Sequence, residues 1–409
     1  MPVLSIQAPL TIKTTVSLSA SKSISNRVLI INALSDSVYP IENISDSDDT
    51  KVLFKALESP SAHFDIGAAG TSMRFLTAYL SQKEGQWFIT GTERMKHRPI
   101  GVLVDALRSL GAHIEYAEKE GFPPLQIYGK PLYGGALALN GGVSSQYISA
   151  LMMIAPCMKK GMELTLEGNI ISQPYIEMTI SLMKCFGVNA EWRDNLIRIT
   201  PQKYRAVPFQ VESDWSAASY WYEIVALSPP DTEILLTGLQ SQSTQGDSKG
   251  RNLFSQLGVE TTFSEEGIIL KKGTIEVTKL AYDFINEPDL AQTFVVTCCM
   301  MNIPFRFTGL QSLRIKETDR ITALQQEMKK LGYILRDESD NTLIWDGITC
   351  DPDSDPIIST YEDHRMAMAF APVCLKKNKI KIQNPSVVSK SYPGYWNDLR
   401  LAGFNMEEI

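Results

Sequence analysis

Histidine is scarce in this chain, and cysteine never takes the spacing of a metal or redox pair. The four histidines, His63, His97, His113 and His364, are scattered, so no metal-ligand spacing is present. None of the six cysteines (Cys157, Cys185, Cys298, Cys299, Cys350 and Cys374) forms a CxxC pair. Most sit in apolar runs, and reduced core thiols in a cytoplasmic protein are the expectation. No run of about 18 apolar residues exists, so no membrane span is expected. The opening MPVLSIQAPLTIKTTVSL lacks the charged start and long apolar core of a signal peptide. A surplus of positive charge is missing too. A net charge of −7 speaks against a nucleic-acid binder held by a broad basic face, though not against a local basic pocket.

Internal repetition is what the chain has in abundance. An amphipathic helix ending in Gly and followed by a strand-like stretch recurs, with Gly111, Gly187, Gly258, Gly332 and Gly403 separated by 76, 71, 74 and 71 residues. In the first copy Ile100, Leu103, Val104, Leu107 and Leu110 form one helical stripe, and the Gly supplies the left-handed residue that closes the helix. A second pattern interleaves with it: a small or polar cluster opening a nearly all-apolar helix. The copies anchor at Lys22, Gly70, Ser144, Asp214, Asp289 and Asp363, in steps of 48, 74, 70, 75 and 74 residues. Helices apolar on all sides are buried. Six α/β units of this kind, each with one buried and one half-exposed helix plus strands, predict two domains of three units. The short first step predicts a strand pair missing between Asp49 and Gly67.

The buried helices open with polar groups that a core does not require. Lys22, Ser23, Arg27, Thr71, Arg74, Ser144, Ser145, Gln146, Asp289, His364 and Arg365 all fall at these starts. A lone Ser or Thr there is most simply an N-cap. Cations at several starts oppose the helix dipole unless an anion arrives, and helix N-termini are themselves anion sites. With the helices parallel, the six ends can face one interdomain cleft, a place for multiply anionic ligands. Further charge lies in GTERMKHRPIG (Arg94, Lys96, Arg98), RIKETDR (Arg314, Lys316, Glu317, Asp319, Arg320) and VVSKSYPGYW (Lys390). RIKETDR reads either as a capped helix start or as a catalytic cluster. Lys96 and Lys329 read as solvated surface.

The strings SASKSISNR, AGTSMR, ERMKHRPIG, SSQY, SQPYIEMT, EPDLAQT, RIKETDR, EDHRMAMAF and SKSYPGY resemble, in order and over nearly the whole chain, the 5-enolpyruvylshikimate-3-phosphate synthase (3-phosphoshikimate 1-carboxyvinyltransferase) family. The resemblance implies a two-domain enolpyruvyl transferase fold of six βαβαββ units, crossed by two strands at a hinge. Residues 20–212 then form one domain, and 1–19 with 213–409 the other. It implies transfer of the enolpyruvyl group of phosphoenolpyruvate to shikimate-3-phosphate, with small molecules as partners, no metal or organic cofactor, and a monomeric state. It also implies roles. Lys22, Gly70, Arg94, Gln146, Arg320, Arg365 and Lys390 would hold phosphoenolpyruvate. Lys22, Ser23, Arg27, Ser144, Ser145, Gln146, Ser172, Tyr175, Asp289, Ser312 and Lys316 would hold shikimate-3-phosphate. Asp289 and Glu317 would move protons, with Lys22 assisting. Arg and Lys suit two substrates that bring two phosphates and two carboxylates.

Departures from the family pattern are Ala68 for Asn, Phe75 for Pro, Gln173 for Lys and Ser312 for Asn. Those at Ala68 and Phe75 lead to an expectation of altered sensitivity to the family's inhibitor glyphosate. The rival readings are the sister transferase acting on UDP-N-acetylglucosamine and a non-catalytic anion-binding repeat protein. Lys22-Ser23 in place of Lys-Asn, and no Cys before Cys157, weigh against the first. The joint presence of Lys22, Asp289, Glu317 and Lys390 weighs against the second.

Overall fold

A computed structural model describes the whole chain, Met1–Ile409. The chain divides into two compact units, one of Met1–Ser19 with Glu212–Ile409 and one of Ala20–Val211. Each has its own apolar core.

Six buried helices form the centres of the units: α1 (Lys22–Leu34), α2 (Gly70–Gln82) and α3 (Ser145–Ile154) in the second, and α4 (Trp215–Leu227), α5 (Ala291–Met300) and α6 (His364–Phe370) in the first. In α4 every residue except Ser216 is buried, Trp215, Tyr220, Trp221 and Tyr222 included. Each such aromatic contributes on the order of 1.5–3 kcal/mol by leaving water. Glu223 is buried among them, and burial pushes its carboxyl well up, with Thr297 pulling weakly the other way. Burial thus favours its uncharged form, which keeps the helix compatible with its core. The five repeat glycines end the half-exposed helices at positive φ, from 79° to 106°, as the left-handed closing position requires.

Five sheets have four strands and share one pattern. An edge strand runs parallel to a central strand, and an antiparallel pair completes the other side, a hairpin in four of the five, as in His63–Asp65, Gly85–Thr90, Leu125–Gly129, His113–Tyr116. In sequence the complete repeats, such as that of residues 63–129, run edge strand, buried helix, central strand, half-exposed helix, hairpin. The sixth sheet keeps only the parallel pair, Phe209–Gln210 on Ile41–Glu42. Its hairpin is absent because the helix Asp48–Glu58 leads directly to the next edge strand, His63–Asp65. That is where the short repeat step predicts a loss.

Two edge strands are exchanged between the first and fourth repeats. Lys13–Ser17 precedes α1 in sequence but pairs with Glu233–Thr237 after α4. Phe209–Gln210 precedes α4 but pairs with Ile41–Glu42 after α1. Each strand stays in its own compact unit while the helix that follows it in sequence belongs to the other, which accounts for the discontinuous first unit. Val3–Gln7 also joins the last sheet, pairing with Lys379–Gln383 and Asn405–Glu408.

Candidate active site

The first unit gathers acids and bases around one buried guanidinium. Arg320 opens the helix Arg320–Lys330 and is 1% exposed. Its Nη1 donates to Asp289 Oδ1 at 3.1 Å and its Nη2 to Glu317 Oε2 at 3.0 Å. Nε and Nη2 donate to the Asp363 carboxylate at 2.7 and 3.3 Å. The Gln292 amide, oxygen inward, accepts from Nη1 and Nε at 3.2 and 3.0 Å.

Outside this centre stand three more cations. Arg365 reaches Asp289 Oδ2 at 2.9 Å, Lys316 reaches Asp289 Oδ1 at 3.8 Å, and Lys390 reaches Glu317 Oε1 at 3.0 Å. Arg365 also donates to the Tyr220 hydroxyl at 3.3 Å. Four cations therefore meet three carboxylates (Asp289, Glu317, Asp363), a local positive excess in an acidic protein. Burial alone would raise the Asp289 carboxyl, but Arg365, Lys316 and Arg320 outweigh it and hold the group well below the usual carboxylate value.

Local structure explains the aim of these groups. Asp289 lies on a 3₁₀ turn, Pro288–Leu290, that runs straight into α5 without a side-chain cap. Asp363 caps α6 by accepting from Arg365 N at 2.9 Å. His364 is buried beside it, its Nδ1 3.9 Å from Asp363 Oδ1. RIKETDR forms the capped helix start. Asp319 caps its helix through Ile321 N and Thr322 N, and Arg314 ties the loop to Asp319, Asp337 and Asp340. Lys316, Glu317 and Arg320 are left to face the cluster. Ser312 sits half-buried on the preceding turn, Gln311–Ile315.

In the second unit the starts of α1, α2 and α3 are cross-linked. Gln146 Nε2 donates to Thr71 Oγ1 at 3.1 Å, joining α3 to α2. Arg27 Nε donates to Thr179 Oγ1 at 2.8 Å, Nη2 to Ser149 Oγ at 2.9 Å and Nη1 to the Ser23 carbonyl at 2.9 Å. The guanidinium lies 5.5 Å from the Phe75 ring centre and 5.8 Å from that of Tyr175. Burial brings Arg27 down to about 10, with Tyr175 pulling it up, so it remains a cation at neutral pH. Lys22 Nζ lies 3.7 Å from Asp49 Oδ2. Ser144 is the N-cap of α3, accepting from Gln146 N at 3.4 Å, and Ser145 is its first residue. Ser172 precedes the helix Gln173–Cys185 at φ 54°, a backbone cost of about 1–2 kcal/mol at a polar position.

Arg98 is the residue that reading the sequence left without a role. A methyl on Gly70 would meet its Nη1 at 2.3 Å, so its guanidinium lies against the uncapped start of α2. Arg74 supports the same corner, donating to the Gly70 carbonyl at 2.9 Å and the Pro99 carbonyl at 3.2 Å. Arg94 is half-buried on the short helix Glu93–Lys96. ERMKHRPIG holds both arginines four residues apart, and nothing in that string says which one reaches Gly70. Lys96 pairs with Glu93 and Glu118, the solvated role expected of it.

Comparison with known proteins points to one family. The family model described as EPSP synthase (3-phosphoshikimate 1-carboxyvinyltransferase) matches residues 6–61 and 52–399. A protein of Bacteroides fragilis (strain YCH46) named 3-phosphoshikimate 1-carboxyvinyltransferase is 60% identical over 403 residues, 98% of each chain. One of the same name from Photobacterium profundum is 34% identical over 431 residues, again 98% of each. A solved EPSP synthase from Acinetobacter baumannii matches all of both chains at a TM-score of 0.81 and 21% identity, a likeness of fold.

Proposed function

The chain belongs to the EPSP synthase family, and from that premise we propose that Asp289 and Glu317 carry its proton transfers. The enzyme transfers the enolpyruvyl group of phosphoenolpyruvate to the 5-hydroxyl of shikimate-3-phosphate and releases phosphate, a step of aromatic amino-acid biosynthesis. One observation carries the assignment of roles: a single buried guanidinium, Arg320, is shared by Asp289 and Glu317 at 3.1 and 3.0 Å.

In this reading Asp289 accepts the proton of the attacking hydroxyl while its oxygen bonds to C2 of phosphoenolpyruvate. Glu317, which takes up a proton as substrate anions draw Arg320 and Lys390 away from it, delivers that proton to the C3 methylene. The tetrahedral adduct then returns a proton from the new methyl group to Glu317 and expels phosphate, which takes the proton held by Asp289. Arg365, Lys316 and Arg320 make Asp289 a weak base while no substrate is bound. Substrate carboxylate and phosphate groups compete for those cations, and each one drawn away from Asp289 raises its proton affinity. The base is thereby strengthened by the ligand it acts on. Arg320, Arg365 and Lys390, released in part from the carboxylates, stabilise charge developing on the substrate carboxylate and the leaving phosphate.

In the second unit we assign Lys22, Gly70 and Arg98 to phosphoenolpyruvate, with Arg94 behind them. Ser23, Ser144, Ser145, Gln146, Ser172 and Tyr175 are assigned to shikimate-3-phosphate. The bonds to Ser149 and Thr179 support Arg27 as a fixed post behind that ligand. In the first unit Lys316 and Ser312 are assigned to the sugar acid. Gly70→Ala tests the corner at α2. The added methyl meets Arg98 Nη1 at 2.3 Å and the buried Arg74 Nη1 at 2.9 Å, so a modest loss of thermal stability should accompany the displacement of Arg98, and KM is compared at a temperature where the variant is fully folded. Displacing one charged contact should raise KM for phosphoenolpyruvate roughly tenfold or more, with kcat less affected. An unchanged KM would remove Arg98 from the site.

The activity itself is tested by phosphate release from phosphoenolpyruvate. Release is expected only when shikimate-3-phosphate is present. Release with UDP-N-acetylglucosamine in its place would point to the sister reaction, and release with neither acceptor would leave no transferase. No helix is long and apolar enough to cross a membrane. We further propose a monomer acting in the cytoplasm, where six unpaired thiols stay reduced.

A further inference from the structure

Tyr361 and Glu362 adopt φ 53° and 56° in succession, a conformation that side chains disfavour and bulky ones most of all. They are the two central residues of a tight turn, closed by Asp363 N donating to the Thr360 carbonyl at 2.8 Å. Turns with both central residues left-handed are ordinarily built from Asn, Asp and Gly. Neither residue here is of that kind, so the turn is strained and persists only because its surroundings hold it. The residues that follow it are those of the acid–base cluster. Asp363 caps α6 and binds Arg320, and Arg365 reaches Asp289.

One buried carboxylate supplies the hold. Glu327 is 0% exposed and lies on the helix Arg320–Lys330, about two turns after Arg320 and so on the same face. The Tyr361 hydroxyl donates to Glu327 Oε1 at 2.6 Å and lies 2.7 Å from Gln326 Oε1. Glu327 Oε2 accepts from Ser359 N at 3.0 Å and from Lys330 Nζ at 2.6 Å. The segment Ser359–Asp363 is thus tied to one helix at two levels. Asp363 joins it to Arg320 at the helix start, and Tyr361 and Ser359 join it to Glu327 further along. The Tyr361 ring packs against the apolar core of this unit, which limits the directions in which its hydroxyl can point.

We propose that Tyr361 is a positioning residue for the binding of phosphoenolpyruvate. Its hydroxyl, held by Glu327, keeps the strained turn closed, and the closed turn sets Asp363 against Arg320 and aims Arg365 at the substrate anion. Without that bond the turn relaxes towards conformations its residues prefer, and the first turn of α6 moves with it. Arg320 still has Asp289, Glu317 and Gln292 as partners, so the proton-transfer pair is disturbed less than Arg365. The effect therefore falls on KM for phosphoenolpyruvate more than on kcat. This role rests on Arg365 being a ligand of phosphoenolpyruvate, the reading adopted above.

Tyr361→Phe removes the hydroxyl and keeps the ring. In the full-length enzyme, with shikimate-3-phosphate saturating, KM for phosphoenolpyruvate is expected to rise roughly tenfold, the worth of one hydrogen bond to a charged group, with kcat less affected. Glu362→Gly gives the turn a residue that takes the left-handed region without strain. Glu362 is exposed and has no part in the site, so this change alone should leave KM as it is. Combined with Tyr361→Phe, it should bring KM back towards the wild-type value although the hydroxyl is still missing.

A merely structural hydrogen bond would not behave in this way, since its loss lowers Tm and leaves KM where it was. A wild-type KM in Tyr361→Phe, whatever its Tm, would overturn the proposal. So would a raised KM that Glu362→Gly does not correct. If Tyr361→Phe does not fold by itself, the double variant is compared with Glu362→Gly, and unequal KM values overturn the proposal equally. Arg365→Gln with an undiminished kcat/KM for phosphoenolpyruvate would sink the reading of Arg365 instead, so the two failures are distinguishable.

Discussion

Asp289→Asn is expected to lower kcat roughly 10²–10⁴-fold, the usual worth of a positioned proton acceptor. The side chain keeps its shape, so the loss should not be one of folding. Its charge is what Arg365 and Arg320 hold at 2.9 and 3.1 Å. Removing that charge leaves both guanidinium groups more available to substrate anions. KM for phosphoenolpyruvate should therefore stay level or fall while kcat drops. That split separates a proton acceptor from a binding residue, whose loss would raise KM with kcat preserved. Glu317→Gln should show a loss of the same order. The double variant should cost much less than the product of the two, because both acids serve the same chemical steps and share Arg320. Steady-state kinetics at saturating shikimate-3-phosphate, with a binding isotherm for that ligand, check all three. Undiminished turnover in Asp289→Asn would remove the acid from the mechanism.

The repeat was legible because its signals are local. A helix closing on Gly needs only that residue in the left-handed region, and Gly111, Gly187, Gly258, Gly332 and Gly403 all adopt it. Buried helices are visible as unbroken apolar runs. The exchange of edge strands was not legible. Lys13–Ser17 and Phe209–Gln210 are short stretches whose partners are chosen by tertiary packing, and their own residues carry no address. Within the site, Lys22, Arg320, Arg365 and Lys390 could be suspected because cations at buried helix starts and in charged loops need a reason. Asp363 could not be distinguished from an ordinary N-cap, which it also is. Its second task, neutralising Arg320, depends on a side chain 43 positions earlier in the chain. Phe75, noted only as a departure, has a visible use in the cation–π contact beneath Arg27.

Asp363→Ala should be the most destabilising single change in the cluster. The carboxylate is 0% exposed. It takes Arg320 at 2.7 and 3.3 Å and caps α6 through Arg365 N at 2.9 Å. Removing one partner of a buried pair costs about 3–5 kcal/mol, because the other charge stays behind without compensation. Losing the cap adds about 1 kcal/mol. Arg320 would keep Asp289, Glu317 and Gln292, which places the expected sum near the lower end, about 3 kcal/mol. Four of the six tryptophans, Trp215, Trp221, Trp345 and Trp396, belong to the unit that contains Asp363. Urea unfolding followed by fluorescence should therefore report mainly that unit, with its midpoint lowered by about 1 M or more. Asp363→Asn keeps an acceptor for the cap and for one guanidinium nitrogen, so its loss should be smaller. Activity should fall in both, because Arg320 is what holds Asp289 and Glu317 side by side. A midpoint unchanged in Asp363→Ala would mean that Arg320 is satisfied without its most buried partner, and that Asp289 and Glu317 alone set its position.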